Sequence, residues 1–287
     1  MKMIDLVGRI LLDTDIPVEM RAKLERYSRP GMIEKGNYIQ CQRCMSKMLK
    51  SKVSLPNGSY YCPYCILLGR VSSDNKLYHL PENNLFQPLQ KSPLTWQGTL
   101  SHFQKKCSDD LLQASVKPGE YLLWAVTGAG KTEMLFPTIE RALMKHKRIA
   151  LASPRVDGCN ELYPRLCEAF AQISPALLHG RSNLPYRYSQ LTICTTHQLL
   201  RFDRAFDLLI IDEVDAFPFV NDKLLKSMAH RSLKLKGTLV YLTATPTGKQ
   251  LARIRKKQLP VSYLPVRFHG HMLPVPSVQI ESRGVCN

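Results

Sequence analysis

The chain has 287 residues, with 40 Lys and Arg against 23 Asp and Glu, a net charge of +17. That length accommodates one large domain and a small one, and that charge favours a polyanion, since each neutralised phosphate releases counterions; a basic membrane-surface protein is the competing reading. No run of about 18 apolar residues and no apolar signal core occurs, which argues against a membrane-spanning or exported product and predicts a cytosolic one. Nine cysteines, an odd number, point away from a disulfide framework and toward metal binding.

Residues 1–35 combine the apolar Ile10-Leu11-Leu12 with a charged, helical-looking stretch from Val18 to Tyr27. They carry no recognisable chemistry and read as a docking arm or a poorly ordered lead-in. Residues 36–80 are more specific. Cys41-Gln-Arg-Cys44 and Cys62-Pro-Tyr-Cys65 are two C-x₂-C knuckles separated by 17 residues, with a hairpin turn expected at Leu55-Pro-Asn-Gly-Ser-Tyr60. Four thiolates at this spacing suit a closed, structural Zn²⁺ site with Cys41, Cys44, Cys62 and Cys65 as ligands. Two redox-active C-x-x-C pairs are the alternative, but neither has a thioredoxin-like setting. Lys47, Lys50, Lys52 and Arg70 around the knuckles fit either a nucleic-acid contact or a solvated basic face. Pro81 to Pro93 reads as a linker.

From residue 94 the pattern becomes α/β. A helix is expected through Leu112, with Gln104 upstream of a glycine-rich turn, where a side-chain amide can pair with the edge of adenine. Tyr121 to Val126 reads as a buried strand, Thr127, Gly128, Ala129 and Gly130 as a tight loop, and Glu133 to Lys145 as a helix. Such a loop wraps phosphates with backbone N–H groups, Lys131 adds a charge toward the β and γ phosphates, and the Thr132 hydroxyl suits Mg²⁺. Ala125 stands where the motif's first glycine is expected.

Apolar strands follow at Arg148 to Ser153, Leu191 to Thr195, Phe206 to Ile211 and Thr238 to Thr243, with a helix from Gly158 to Ala171. This alternation predicts a mainly parallel sheet covered by helices, with ligands at the carboxyl ends of the strands. Asp212-Glu-Val-Asp215 follows the most apolar strand. Adjacent carboxylates there suit a cation: Asp212 would hold Mg²⁺ on ATP and Glu213 would orient the attacking water.

Together, Ala125-Val-Thr-Gly-Ala-Gly-Lys-Thr-Glu133, Ile211-Asp-Glu-Val-Asp-Ala-Phe-Pro218 and Leu242-Thr-Ala-Thr-Pro246 resemble motifs I, II and III of superfamily 2, DEAD-box-like helicases. The knuckles upstream, Ala152-Ser-Pro-Arg-Val-Asp157, Thr195-Thr-His-Gln-Leu-Leu200 and Arg267-Phe-His-Gly270 narrow the likeness to the ComFA family of late competence proteins. The resemblance implies a RecA-like lobe at residues 94–259 behind a zinc ribbon at 36–80. It also implies an ATP-driven motor that draws single-stranded DNA into the cell.

By the same resemblance Ser153, Pro154, Arg155, Thr195, Thr196 and His197 touch the DNA backbone, and Thr243 and Thr245 couple ATP state to DNA. Proteins of the membrane DNA channel and of DNA processing become partners, and the inner face of the membrane a peripheral station. A homo-oligomer stays open.

Residues 260–287 read as a proline-rich extended tail where a second lobe would begin, and the pattern of that lobe's arginines does not occur. The chain is therefore expected to be half a motor, weak in ATP and DNA binding and poor in hydrolysis alone. A primosomal replication-restart helicase, or a non-enzymatic zinc-dependent DNA-binding or scaffold module, are the alternatives.

Overall fold

The computed structural model describes residues 1–182 and 184–267. The tail from 268 to 287, including the Phe-His-Gly of the last family motif, lies outside the described residues.

The first 80 residues form a compact module of two small antiparallel sheets. Strand β1 (Ile10–Leu12) and β2 (Ser28–Pro30) flank β6 (Lys76–His79), while β3 (Met32–Lys35), β4 (Tyr38–Cys41) and β5 (Lys47–Leu49) make a meander. Between β1 and β2 lie a short helix, α1 (Val18–Arg21), and a 3-10 turn, Ala22–Tyr27. The expected lead-in is therefore a structural layer. Ile10, Leu11, Leu12 and Leu24 are buried, so their burial, which no local motif announces, holds the first 35 residues down. At the expected hairpin, Ser54 bridges Tyr60 and Gly58 turns with φ 83°.

The lobe is a seven-stranded parallel sheet with the order β13-β7-β12-β11-β8-β10-β9. Its strands are β7 (Gly119–Ala125), β8 (Ile149–Ser153), β9 (Ala176–Leu178), β10 (Leu191–Thr195), β11 (Phe206–Ile211), β12 (Leu233–Thr243) and β13 (Val261–Leu264). Helices α2 (His102–Ala114), α3 (Lys131–Met144), α4 (Val156–Ala169), α5 (Lys223–Ser232) and α6 (Gly248–Arg255) accompany it.

Period-two alternation sends Ile149, Leu151, Leu208 and Ile210 into one core and Ala150, Ala152, Leu209 and Ile211 into another. Both faces of the sheet are thus covered, as its continuous apolar strands require. The first core contains residues of α3 and α4. The second is continuous from Cys41, Cys44, Cys62 and Cys65 through Phe202 and Phe206 to Met228 of α5, so the N-terminal module serves as a cover for the sheet.

Two segments depart from the sequence reading. Residues 261–264 belong to the sheet: β13 lies parallel to β7, with Leu264 opposite Ala125. The expected linker is fastened to the lobe. Glu82 is paired with Arg148, Asn84 donates to Asp207 at 3.0 Å, and Tyr188 Oη donates to Glu82 at 2.5 Å.

Candidate nucleotide and nucleic-acid site

The expected phosphate loop leaves β7 and enters α3. Gly128 and Gly130 take φ of 77° and 69°, a left-handed backbone that favours glycine. Gly130 has a second constraint, because a Cβ there would lie 2.5 Å from Gln104 Nε2. Ala125, in place of the motif's first glycine, ends β7 as a fully buried strand residue with no need of special backbone. Lys131 Nζ turns back to the Ala125 carbonyl at 3.5 Å, and Thr132 is buried at the start of α3.

Asp212 and Glu213 stand at the carboxyl end of β11, on the same edge of the sheet. Asp212 Oδ1 accepts from the Glu213 N–H at 2.9 Å. Burial pushes the Asp212 carboxyl up to about 6, with the Lys131 charge opposing the shift. A half-buried acid held in this way suits a cation, whose binding would offset the cost of ionising it. Glu213 is exposed with φ 49°, so its carboxylate is free to meet solvent water.

Gln104 is positioned differently from its sequence expectation. It is 2% exposed; its Oε1 accepts from the Ser101 N–H at 2.8 Å and its Nε2 donates to the Ala129 carbonyl at 2.8 Å. Both ends of the amide are therefore occupied, one in the capping box of α2 and one on the phosphate loop. Beside it opens a cavity of about 300 Å³ lined by Trp96, Gly98, Thr99, Leu100, Gln104, Gly130 and Glu133. Trp96, the aromatic residue of that lining, packs edge-on against Phe136 and was not singled out by the sequence. Gly98 is the local clue, because any Cβ there would lie 2.2 Å from the indole.

Motif III meets motif II directly. Thr243 Oγ1 donates to Asp215 Oδ1 at 2.6 Å, Thr245 Oγ1 donates to Asp215 Oδ2, and the Thr245 N–H donates to Thr243 Oγ1 at 2.9 Å. Asp215 is thus a junction that the sequence left without a role.

The expected DNA residues gather at the ends of β8 and β10, but unevenly. Arg155 is exposed and His197 half-buried, whereas Ser153, Pro154, Thr195 and Thr196 are buried. Of these six, Arg155 and His197 are the two with side chains open to solvent, and the buried Ser153 Oγ accepts from the Arg155 N–H at 3.4 Å. Burial lowers the His197 pKa from its ordinary value, favouring the neutral ring.

The four cysteine sulfurs lie within 4.8 Å of one another, with Cys44 and Cys62 3.5 Å apart and Cys41 and Cys65 3.9 Å apart. A tetrahedron with metal–sulfur bonds of about 2.3 Å has edges of about 3.8 Å, so the donor set fits Zn²⁺. The Arg43 N–H points at Cys41 Sγ from 3.4 Å. Cys65 is held below the usual thiol range by the neighbouring Cys41 thiol, with the Arg43 charge adding to the effect.

Residues 3–79 match the family described as the competence protein ComFA N-terminal domain, and residues 97–248 match the type III restriction enzyme, res subunit. The competence protein ComFA of Streptococcus pneumoniae is 43% identical over 273 residues, covering 95% of this chain and 61% of that protein. The chain belongs to the ComFA family and carries a lobe of the res-subunit family. The ComFA of Bacillus subtilis is also 43% identical, over 248 residues that cover 85% of this chain and 53% of that protein. The chain thus spans between half and two thirds of the length of these ComFA relatives.

Two solved structures also match. The Sulfolobus solfataricus SWI2/SNF2 ATPase core in complex with dsDNA has a TM-score of 0.44 and 22% identity, over 56% of this chain and 35% of that one. A hypothetical ATP-dependent RNA helicase from Sulfolobus tokodaii has a TM-score of 0.45 and 18% identity, over 57% and 52%. The ComFA and res-subunit matches and the parallel sheet make this a helicase-like ATPase fold, RecA-like in its strand order. Among the described residues no helix is long and apolar enough to cross a membrane.

Proposed function

We propose that this chain is the zinc-anchored, ATP-binding lobe of a motor that moves single-stranded DNA during uptake in natural competence. Residues 36–80 hold zinc through Cys41, Cys44, Cys62 and Cys65. Residues 94–259 bind MgATP through Thr127, Gly128, Ala129, Gly130, Lys131, Thr132 and Asp212. Glu213 orients the water that attacks the γ phosphate, and Gln104 supports the adenine cavity through the loop it holds. Arg155 and His197 grip the DNA backbone without reading bases, which suits a translocase.

The observation that carries this reading is the Asp215 junction. Asp215 lies three residues after Asp212; of its partners, Thr243 ends β12 and Thr245 belongs to the segment that follows it. A change at the acids when nucleotide binds is therefore passed to a second strand end by two hydroxyls, as a coupled ATPase requires. The DNA-processing and membrane-channel partners, and a station at the inner face of the membrane, come with this reading.

The test is calorimetric ATP binding and steady-state hydrolysis by the purified, zinc-loaded chain, with and without single-stranded DNA. ATP binding should weaken about 10- to 100-fold in Lys131→Ala, the value of a charged hydrogen bond. Whatever DNA-stimulated turnover occurs should be low and should vanish in Glu213→Gln. ATP affinity that is indifferent to Lys131, or turnover that survives Glu213→Gln, would sink the proposal.

A further inference from the structure

The cysteine cluster holds more than its own module. Arg43, which lies between the two ligands of the first knuckle, is wholly buried. Its Nε lies 3.5 Å from Cys65 Sγ, and its guanidinium donates to the carbonyls of Cys65 at 3.0 Å, of Leu68 at 3.2 Å and of Gly69. Among the described residues no carboxylate forms an ion pair with it. A buried guanidinium without a counter-charge is strongly disfavoured. Four thiolates around a divalent cation carry a net negative charge, and here they lie within reach of that guanidinium. Arg43 is therefore matched to the metal-loaded centre.

From Arg43 two paths lead to one segment of the lobe. The Leu68 carbonyl that accepts from Arg43 also accepts from Arg201, at 3.1 Å. The carbonyl of Arg43 itself accepts from Arg231 of α5, whose guanidinium also donates to Leu200 at 2.8 Å and to Phe202 at 3.3 Å. Both paths end on the 3-10 turn Thr196–Arg201, which begins with Thr196 and His197.

We infer that Arg43 and Arg231 are positioning residues through which the metal centre sets the Thr196–Arg201 turn, so that metal loading governs how this turn meets nucleic acid. The inference goes beyond the proposed function and rests on it only for DNA as the ligand.

Two measurements on the 287-residue chain test it. With Co²⁺ in place of zinc, Arg43→Met should move the thiolate-to-metal charge-transfer band to lower energy, because a lost N–H···S bond raises the sulfur lone pairs; Arg43→Lys should restore part of the shift. In hydrogen exchange, Arg231→Met should retain its metal and its MgATP affinity while amides 196–202 exchange about tenfold faster. Binding of a labelled oligothymidylate should weaken severalfold. Chelation of the wild-type chain should give the same local acceleration.

An unchanged cobalt spectrum in Arg43→Met, or unchanged exchange at 196–202 in both Arg231→Met and the chelated chain, would overturn the inference. Exchange is read without DNA. A chain that binds no oligonucleotide would therefore refute the proposed function and leave the positioning link to stand or fall by exchange alone.

Discussion

Arg148 and Glu82 form an ion pair in which both side chains are completely shielded from solvent. The pair fastens the segment after the N-terminal module to the base of β8, and Arg148 further donates to the Val7 carbonyl at 3.1 Å and to Tyr186 Oη. Breaking a buried pair from one side leaves the other charge stranded. Glu82→Ala is therefore expected to cost about 3–5 kcal/mol, read as a shift in the urea unfolding midpoint at unchanged slope. A change below about 1 kcal/mol would mean that water reaches Arg148.

Removing metal should destabilise more than the knuckles. The cysteines belong to the same core as Phe202, Phe206 and Met228, and structural zinc contributes on the order of 10 kcal/mol to folding in small modules. Calorimetry with and without a strong chelator should show the lobe transition itself moving to lower temperature. Cys62→Ser should reproduce that shift. Independent melting of an unaltered lobe would contradict the shared core.

Asp212 gives a prediction with a definite sign. Burial raises its pKa to about 6, above the ordinary 3.8, so its contribution to stability is fully present below about 3.8 and is lost as pH rises through about 6. At pH 7 the ionised carboxyl is a liability in the free lobe. Asp212→Asn should stabilise the nucleotide-free chain by about 1–3 kcal/mol while abolishing Mg²⁺-dependent ATP binding. Thermal shift with and without MgATP reads both effects, and a variant that is both less stable and still Mg²⁺-responsive would reject this role.

Gly130 should tolerate no side chain. Gly130→Ala combines a left-handed backbone with a Cβ 2.5 Å from Gln104 Nε2, at a cost of about 1–3 kcal/mol. Adding Gln104→Ala removes the clash but not the backbone strain. The double variant should therefore recover part of the melting temperature and little of the ATP affinity.

Asp215 should separate coupling from binding. Its carboxyl lies below the ordinary range although burial pushes the other way, because the hydroxyls of Thr243 and Thr245 outweigh it. That stabilisation is present above the unfolded pKa and lost only as pH falls through the lower folded value. Asp215→Ala should leave ATP affinity within about threefold and remove the response of hydrolysis to DNA. Equal loss of both would make Asp215 a nucleotide ligand instead.

The chemistry of this chain was legible where it is local. A glycine loop before Lys131-Thr132, acids after an apolar strand and two C-x₂-C knuckles each advertise a backbone or charge requirement within a few residues. What depended on distant partners was not. Val261 to Leu264, bounded by prolines, reads as an extended tail because nothing local reports its parallel pairing with β7. Arg43 reads as one more basic residue inside a knuckle, since its burial depends on Leu68, Gly69 and α5. Gln104 has the right type and place for a base contact, yet its amide is used by Ser101 and Ala129.

The pairing of β13 has one more consequence. Leu264 accepts from the Val126 N–H at 3.2 Å, and the Arg267 side chain comes to 4.0 Å from where a Cβ on Gly128 would lie. Arg267, the last described residue, thus brings its side chain beside the glycine loop that follows β7. The end of β13 and the loop after β7 are thereby tied to each other, so a movement of that loop would be felt at residues 264–267 on the far side of the tie.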